Sequence, residues 1–267
     1  MHKKGCFYPR RCNYQYSINS AMKKTKNYRS GVVLAAGLGS RLVNGKNGHK
    51  NKPLVSVEGV SLLLRTLGSL ELACDRVVIV LGFGADTIRL YIERQYKGHM
   101  ELLFVVNEKY KLSNGLSVLA AGKYLDDDFV LAMADHVMDD SLLELAREYD
   151  LVTGGAALLV DYKLDTIFDM DDATKVLEKN GKIFSIGKDI INYNCVDTGL
   201  FVCSRALLDA LDEVYSDTGD ASLSAGVQKL SEKGLMYTVD IQDGFWQDVD
   251  TEEMLEHAEK HLIEKFQ

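Results

Sequence analysis

The sequence predicts an α/β protein with a mixed, mostly parallel central sheet and helices on both faces. Short apolar runs alternate with amphipathic stretches of about 10–15 residues, the pattern of strands joined by crossover helices. The first apolar run, 31–36, opens directly into a glycine loop. The chain has 267 residues, 46% hydrophobic and 26% charged, which is globular composition with enough length to bury a core.

After the strand at 31–36, the stretch 60–73 sets Leu63, Leu67 and Leu70 on one helical face. A β-branched strand follows at 76–81, then a helix at 85–96, a strand at 101–106, a helix at 115–125 and a strand at 129–133. Ser141 with Glu144 reads as a capping box opening the next helix. The second half is less regular, with strands at 155–160, 183–186, 199–203 and 236–241 and helices near 205–215, 221–233 and 251–265. In the last helix Met254, Ala258, Leu262 and Phe266 form a stripe at spacing four. Pro9 lies near the start, so Pro53 is the only other proline, and no linker interrupts 31–267. That span is read as one domain behind a basic tail, 1–30.

The net charge of −8 conceals a split. The tail carries Lys3, Lys4, Arg10, Arg11, Lys23, Lys24, Lys26 and Arg29 and no acid, which leaves a body of net −16. A body this acidic repels a polyphosphate backbone, so no nucleic acid partner is expected, although a small anion can still enter a locally positive pocket. No run of about 18 apolar residues suggests a membrane span, and the tail lacks the apolar centre of a secretory signal. The tail is expected to be disordered, with Met22 a second start; a weak tether to an anionic membrane surface is the other reading. Cys6, Cys12, Cys74, Cys195 and Cys203 are scattered without a CxxC and read as reduced thiols of a cytoplasmic protein.

The strongest motif runs from Leu34 through Ala36, Gly37, Gly39, Ser40 and Arg41 to Leu42. Gly37 and Gly39 allow close backbone approach to a ligand, and free amides in such a loop bind phosphate oxygens. A dinucleotide fingerprint requires a third small residue where Leu42 stands, and a P-loop requires Ser or Thr where Asn47 follows Gly45-Lys46. What remains, Gly-x-Gly-x-Arg followed by Lys52-Pro53-Leu54, resembles the nucleoside-triphosphate transferases that act on sugar phosphates and related phospho-alcohols. The resemblance implies a Rossmann-like nucleotidyltransferase fold in which Arg41 and Lys52 embrace the triphosphate.

Three further matches follow in the family's order. Met133-Ala134-Asp135-His136 ends a buried strand, where the family places a magnesium-binding Asp; Ala134 stands in place of the usual Gly, and His136 is a candidate for facing the acceptor. Trp246-Gln247-Asp248-Val249-Asp250-Thr251 precedes the last helix, and the resemblance makes Asp248 the second Mg²⁺ ligand, while Asp250, with Glu253 three residues on, reads as a helix N-cap. Asp197-Thr198-Gly199 enters a strand, with Lys188 upstream; the resemblance implies acceptor contacts at Thr198 and Gly199 and an acceptor phosphate at Lys188. Base choice is expected in 106–117, where Asn114, Gly115 and Ser117 resemble the Asn…Ser form of cytidylyltransferases for phosphocholine and inositol 1-phosphate.

Together these motifs most resemble the CTP:inositol-1-phosphate cytidylyltransferases, over essentially 31–267. The catalytic set implied is Arg41, Lys52, Asp135 and Asp248, with Mg²⁺ as cofactor and CTP and a phospho-alcohol as substrates. Many relatives fuse this domain to a membrane-embedded CDP-alcohol transferase, expected here as a separate downstream chain; a homodimer is compatible with the sequence. Phosphocholine or a sugar 1-phosphate as acceptor, or a non-catalytic nucleotide-sensing subunit, are the alternatives.

Overall fold

The computed structural model describes residues 28–39, 51–125 and 128–265. The basic segment 1–27, the loop residues Ser40 and Arg41, and Phe266 lie outside them. The first strand, β1 (Arg29–Ala35), is central, so its Val-Val-Leu run is covered on both faces. A short hairpin, β2 (Ser56–Val57) and β3 (Val60–Ser61), precedes α1 (Leu62–Leu70), whose first turn is capped by the Ser61 hydroxyl accepting from the Leu64 N–H at 3.4 Å. Then come β4 (Cys74–Leu81), α2 (Ala85–Gln95), β5 (Glu101–Val106), α3 (Gly115–Ala121) and β6 (Asp128–Met133). The helix expected over 115–125 stops at Ala121 and tightens into a 3-10 turn, Gly122–Tyr124.

β7 (His136–Met138) and α4 (Asp140–Glu148) follow, then β8 (Ala156–Asp161), β9 (Lys175–Lys179), β10 (Lys182–Gly187), β11 (Cys195–Ser204), α5 (Ala206–Thr218), α6 (Leu223–Glu232), β12 (Met236–Asp240), β13 (Trp246–Asp248) and α7 (Glu252–Lys265). The main sheet has the order β5-β4-β1-β6-β11-β8-β12-β10-β9. Its first four strands are parallel, as are β8 and β12, and the remaining pairings are antiparallel. β9 also pairs with β11, so the second half of the sheet closes on itself.

Side chains alternate across the strands. Val32, Val78 and Val80 meet α3, α5 and α6 on one face, while Val33, Val77 and Ile79 meet α1, α2 and α4 on the other. Arg29 closes the end of α4, its guanidinium donating to the carbonyls of Ala146 (2.9 Å), Arg147 (3.1 Å) and Tyr149 (2.7 Å). The Ser141–Glu144 capping box does not form. The N-cap is Asp139, and its carboxylate turns outward to accept from the Phe245 N–H (3.1 Å) and Lys265 Nζ (2.7 Å).

β7 pairs with β13 across more than a hundred residues, which carries the 246–250 segment to the end of β6. α7 then packs Met254 and Ala258 inward, Ala258 joining Val57, Val137 and Val249. Cys74, Cys195 and Cys203 are free and buried, and burial raises the thiols of Cys74 and Cys195 to about 12. Among the described residues no helix is long and apolar enough to cross a membrane.

Candidate active site

Ala36 to Gly39 leave the end of β1 beside Lys52. Gly39 has φ of +59°, and a Cβ there would run into the Cβ of Lys52, so this glycine lets the loop lie on the lysine stem. Lys52 opens a 3-10 turn with Pro53 and is only 6% exposed. Its Nζ donates to Asp135 Oδ2 at 2.5 Å and to Asp250 Oδ1. A cavity of about 250 Å³ lies over this group, lined by Leu34, Gly37 and Gly39 on one side and Asp135 and Asp250 on the other.

Burial works against the charge on Lys52, yet the carboxylates of Asp135 and Asp250 outweigh it and hold the ammonium above the usual lysine value. Burial likewise opposes the charge on Asp135, but Lys52 and His136 keep that carboxyl far below the ordinary range. His136 Nδ1 lies 2.8 Å from Asp135 Oδ1, and its ring stacks on the indole of Trp246 with centroids 5.9 Å apart. Burial lowers the His136 pKa, but the bond to Asp135 and that carboxylate's charge raise it above the usual value overall.

On β13 and its continuation, Gln247 and Val249 point inward and are buried, so Asp248 and Asp250 share the opposite face. Asp250 is therefore not the helix cap that its spacing suggested. Thr251 takes that place, accepting from the Met254 N–H at 3.2 Å, while Asp250 meets Lys52. Asp172, from the segment between β8 and β9, completes a group in which carboxylate oxygens of Asp172, Asp248 and Asp250 lie within 4.8 Å of one another. Burial, together with the charges of Asp250 and Asp135, raises the Asp248 carboxyl. Three clustered carboxylates are a hard-oxygen donor set that suits a divalent cation. Asp135 engages Lys52 and His136, and Asp248 gathers with Asp250 and Asp172.

A second cavity of about 500 Å³ shares Asp135 and Asp250 with the first and reaches Asn114, Lys188, Asp197, Gly199 and Trp246. Lys188 lies at its margin, paired with Asp172 at 2.5 Å. Several expected contacts take other duties. Thr198 is fully buried, its hydroxyl donating to the Leu159 carbonyl at 2.8 Å, and it does not reach the cavity. Gly199 has φ of +76°, at the slip in register between β11 and β8, and makes room for His136. Ser117 is buried against Asn107 Nδ2 (3.0 Å), and a side chain at Gly115 would collide with the Ala221 carbonyl, so both support the loop from behind. Ala36 is buried and its carbonyl accepts from the Phe83 N–H at 3.2 Å.

Asp197 gives a pH-dependent prediction. Burial raises its carboxyl to about 6 against an ordinary 3.8, although the Gly199 N–H that it accepts at 2.7 Å favours ionisation. The folded state therefore holds this proton more tightly than the unfolded chain, and stability falls as pH rises through that interval. Asp197→Asn keeps the acceptor for Gly199 and removes the charge. It is expected to raise the urea midpoint at pH 8, on the order of 1–3 kcal/mol, with the gain vanishing below about pH 4. A variant no more stable than the parent at pH 8 overturns this.

The chain is 32% identical over 232 residues to the bifunctional IPC transferase and DIPP synthase of Archaeoglobus fulgidus, covering 87% of this chain and 43% of that protein. It is 34% identical over 248 residues to the protein of that name from Rubrobacter xylanophilus, covering 88% and 53% respectively. The chain thus spans about half the length of the known relatives it matches. Among solved structures, the inositol-1-phosphate CTP transferase from T. maritima superposes with a TM-score of 0.75 at 28% identity, over 88% of this chain and 97% of that one. Residues 31–233, which carry the glycine loop, Lys52, Asp135 and Gly199, match the profile of a single family, and the chain belongs to it: the MobA-like NTP transferase domains.

Proposed function

We propose that the protein transfers a cytidylyl group from CTP to inositol 1-phosphate, giving CDP-inositol and pyrophosphate. The observation that carries this reading is Lys52, a buried ammonium beneath the glycine loop that lines the smaller cavity and is shared by Asp135 and Asp250, the two carboxylates common to both cavities. The smaller cavity suits a triphosphate and the larger a base and an acceptor. The names of the A. fulgidus and R. xylanophilus relatives and of the T. maritima structure agree with it.

In this reading a phosphate oxygen of the acceptor attacks the α-phosphorus of CTP, a new P–O bond forms, and the bond to the β-phosphate breaks in line with it. The acceptor is already anionic at neutral pH, so no strong general base is needed. Lys52, with Arg41 from the loop, neutralises charge on the triphosphate, and the glycine loop supplies amides at close range. Asp248, Asp250 and Asp172 have the oxygen donors to hold Mg²⁺. When bound, that ion would offset triphosphate charge. Lys188 serves the acceptor phosphate. The consumer of the product is a membrane CDP-alcohol transferase, and the cytoplasm is the compartment.

The acceptor side favours a polyol over phosphocholine. A quaternary ammonium requires open aromatic faces. Here one face of Phe168, of Phe245 and of Trp246 is covered by a histidine ring, His257 at 4.7 Å, His261 at 3.6 Å and His136 respectively. The Asp197 carboxylate lines the same space and is suited to hydroxyl groups.

Base choice follows from Asn114. Its Oδ1 accepts from the Leu223 N–H at 2.9 Å, and because a backbone N–H can only donate, the side-chain NH₂ is the group left for a ligand. An NH₂ donor matches the N3 acceptor of cytosine and opposes the N3–H of uracil. Asn114→Asp keeps the bond to Leu223 and exchanges donor for acceptor. The preference for CTP over UTP in kcat/KM is expected to fall on the order of 10²-fold; an unchanged ratio refutes this role. For the reaction itself, the protein is incubated with CTP and Mg²⁺ and with inositol 1-phosphate, phosphocholine or glucose 1-phosphate, and pyrophosphate is measured. Release should be strongest with inositol 1-phosphate. Preference for phosphocholine, or nucleotide binding without pyrophosphate release, overturns the reading.

A further inference from the structure

Asp161 ends β8 and is 3% exposed, with both carboxylate oxygens engaged. Its Oδ2 accepts from the indole N–H of Trp246 at 3.0 Å. Its Oδ1 accepts from the backbone N–H of Lys163 and meets Lys163 Nζ, each at 2.8 Å. The same Nζ donates to the carbonyls of Gln242 (2.6 Å) and Gly244 (3.3 Å), which lie in the turn leading from β12 to Trp246. Lys163 is thereby committed to fixing that turn. Trp246 in turn supports one face of the His136 ring, whose Nδ1 meets Asp135.

A buried carboxylate is costly to desolvate, and apolar packing of similar volume often stabilises a fold as well or better. Indole packing alone would need no acid at Asp161. What the acid adds is direction: it fixes the rotation of the indole, and the indole fixes the plane of the imidazole that holds Asp135 towards Lys52. We propose that Asp161 and Trp246 are positioning residues, acting through His136 to aim the Asp135 carboxylate at Lys52. Their effect on turnover rests on the transferase reading above. Their effect on His136 does not.

The test uses Trp246→Phe, which keeps a six-membered aromatic ring and removes the N–H together with the five-membered ring that carries it, and Asp161→Asn, which keeps an oxygen for Lys163. Each single variant and the double variant are assayed for kcat and for KM towards CTP, and the ring signals of His136 are followed by NMR. Each single variant is expected to lose on the order of 10-fold in kcat, with KM changed less than about twofold and the His136 signals displaced. The double variant should be no slower than the slower single one, because both cut the same link. Losses that multiply in the double variant, or His136 signals unmoved in both folded single variants, overturn the proposal. If one variant fails to fold, the other decides through kcat and the His136 signals together. A parent protein without transferase activity refutes the function while the His136 signals still test the link.

Discussion

Lys52→Ala is expected to lower the rate of pyrophosphate release on the order of 10²–10³-fold at saturating CTP. Lys52 is the buried cation between Asp135 and Asp250, and its removal acts in two ways. The triphosphate loses a fixed positive charge, and Asp135 loses a cation that holds its carboxyl ionised against burial. In the parent, Lys52 and His136 hold Asp135 far below the ordinary carboxylate range against burial. Without the ammonium, burial raises the Asp135 carboxyl. Residual activity should therefore recover partly as pH rises, an alkaline shift absent from the parent. Lys52→Arg should restore only part of the rate. The guanidinium is a planar fork, whereas the ammonium now accommodates two carboxylates under a loop that lies against the lysine stem at Gly39. Steady-state kinetics between pH 6 and 9 check this; a Lys52→Ala enzyme retaining a third of the parent rate rules it out.

The parts of this site that were legible from sequence are those encoded locally. The strand at 31–36 is a continuous apolar run followed by glycines, and β6 ends at Met133 just before Ala134-Asp135, so the loop is legible in the local pattern and the carboxylate through the family resemblance. What escaped is encoded by contacts between distant segments. β7 and β13 have three residues each, too few for an alternation to stand out, and they are strands only because they pair with each other. The local pattern at Asp250 is that of a cap, because an acid ahead of a helix usually is one. The decisive signal was subtler: Val249 between two aspartates must point inward, which puts both acids on one face. Asp172 had no local signal, since it sits in a segment without regular structure and joins the group through the closure of β9 onto β11. Thr198 turns into the core, and Gly199, which lines the larger cavity, has a further duty in making room for His136, because sequence shows that a glycine is required without showing what it accommodates.

That duty sets the second large effect. Gly199→Ala is expected to destabilise the protein by about 2–4 kcal/mol and to reduce turnover by more than about tenfold. Its φ of +76° costs a side-chain-bearing residue on the order of 1–2 kcal/mol. The remainder comes from collision, because a Cβ at this position lies 2.6 Å from His136 Nε2 and 2.8 Å from its Cδ2. The imidazole has little freedom to withdraw, with Asp135 bonded to Nδ1 and the Trp246 indole against its face. Any movement that relieves the contact must disturb Asp135, which is how a methyl group at a site without chemistry of its own reaches the reacting centre. The two contributions separate in the double variant Gly199→Ala, His136→Ala. Removing the ring abolishes the collision and leaves the backbone strain, so the double variant should unfold at a higher urea concentration than Gly199→Ala and recover no turnover, since Asp135 has then lost its partner. Equal urea midpoints for Gly199→Ala and the parent would show that the glycine is not holding space for His136, and a double variant less stable than Gly199→Ala would show that the imidazole is not what the methyl group meets.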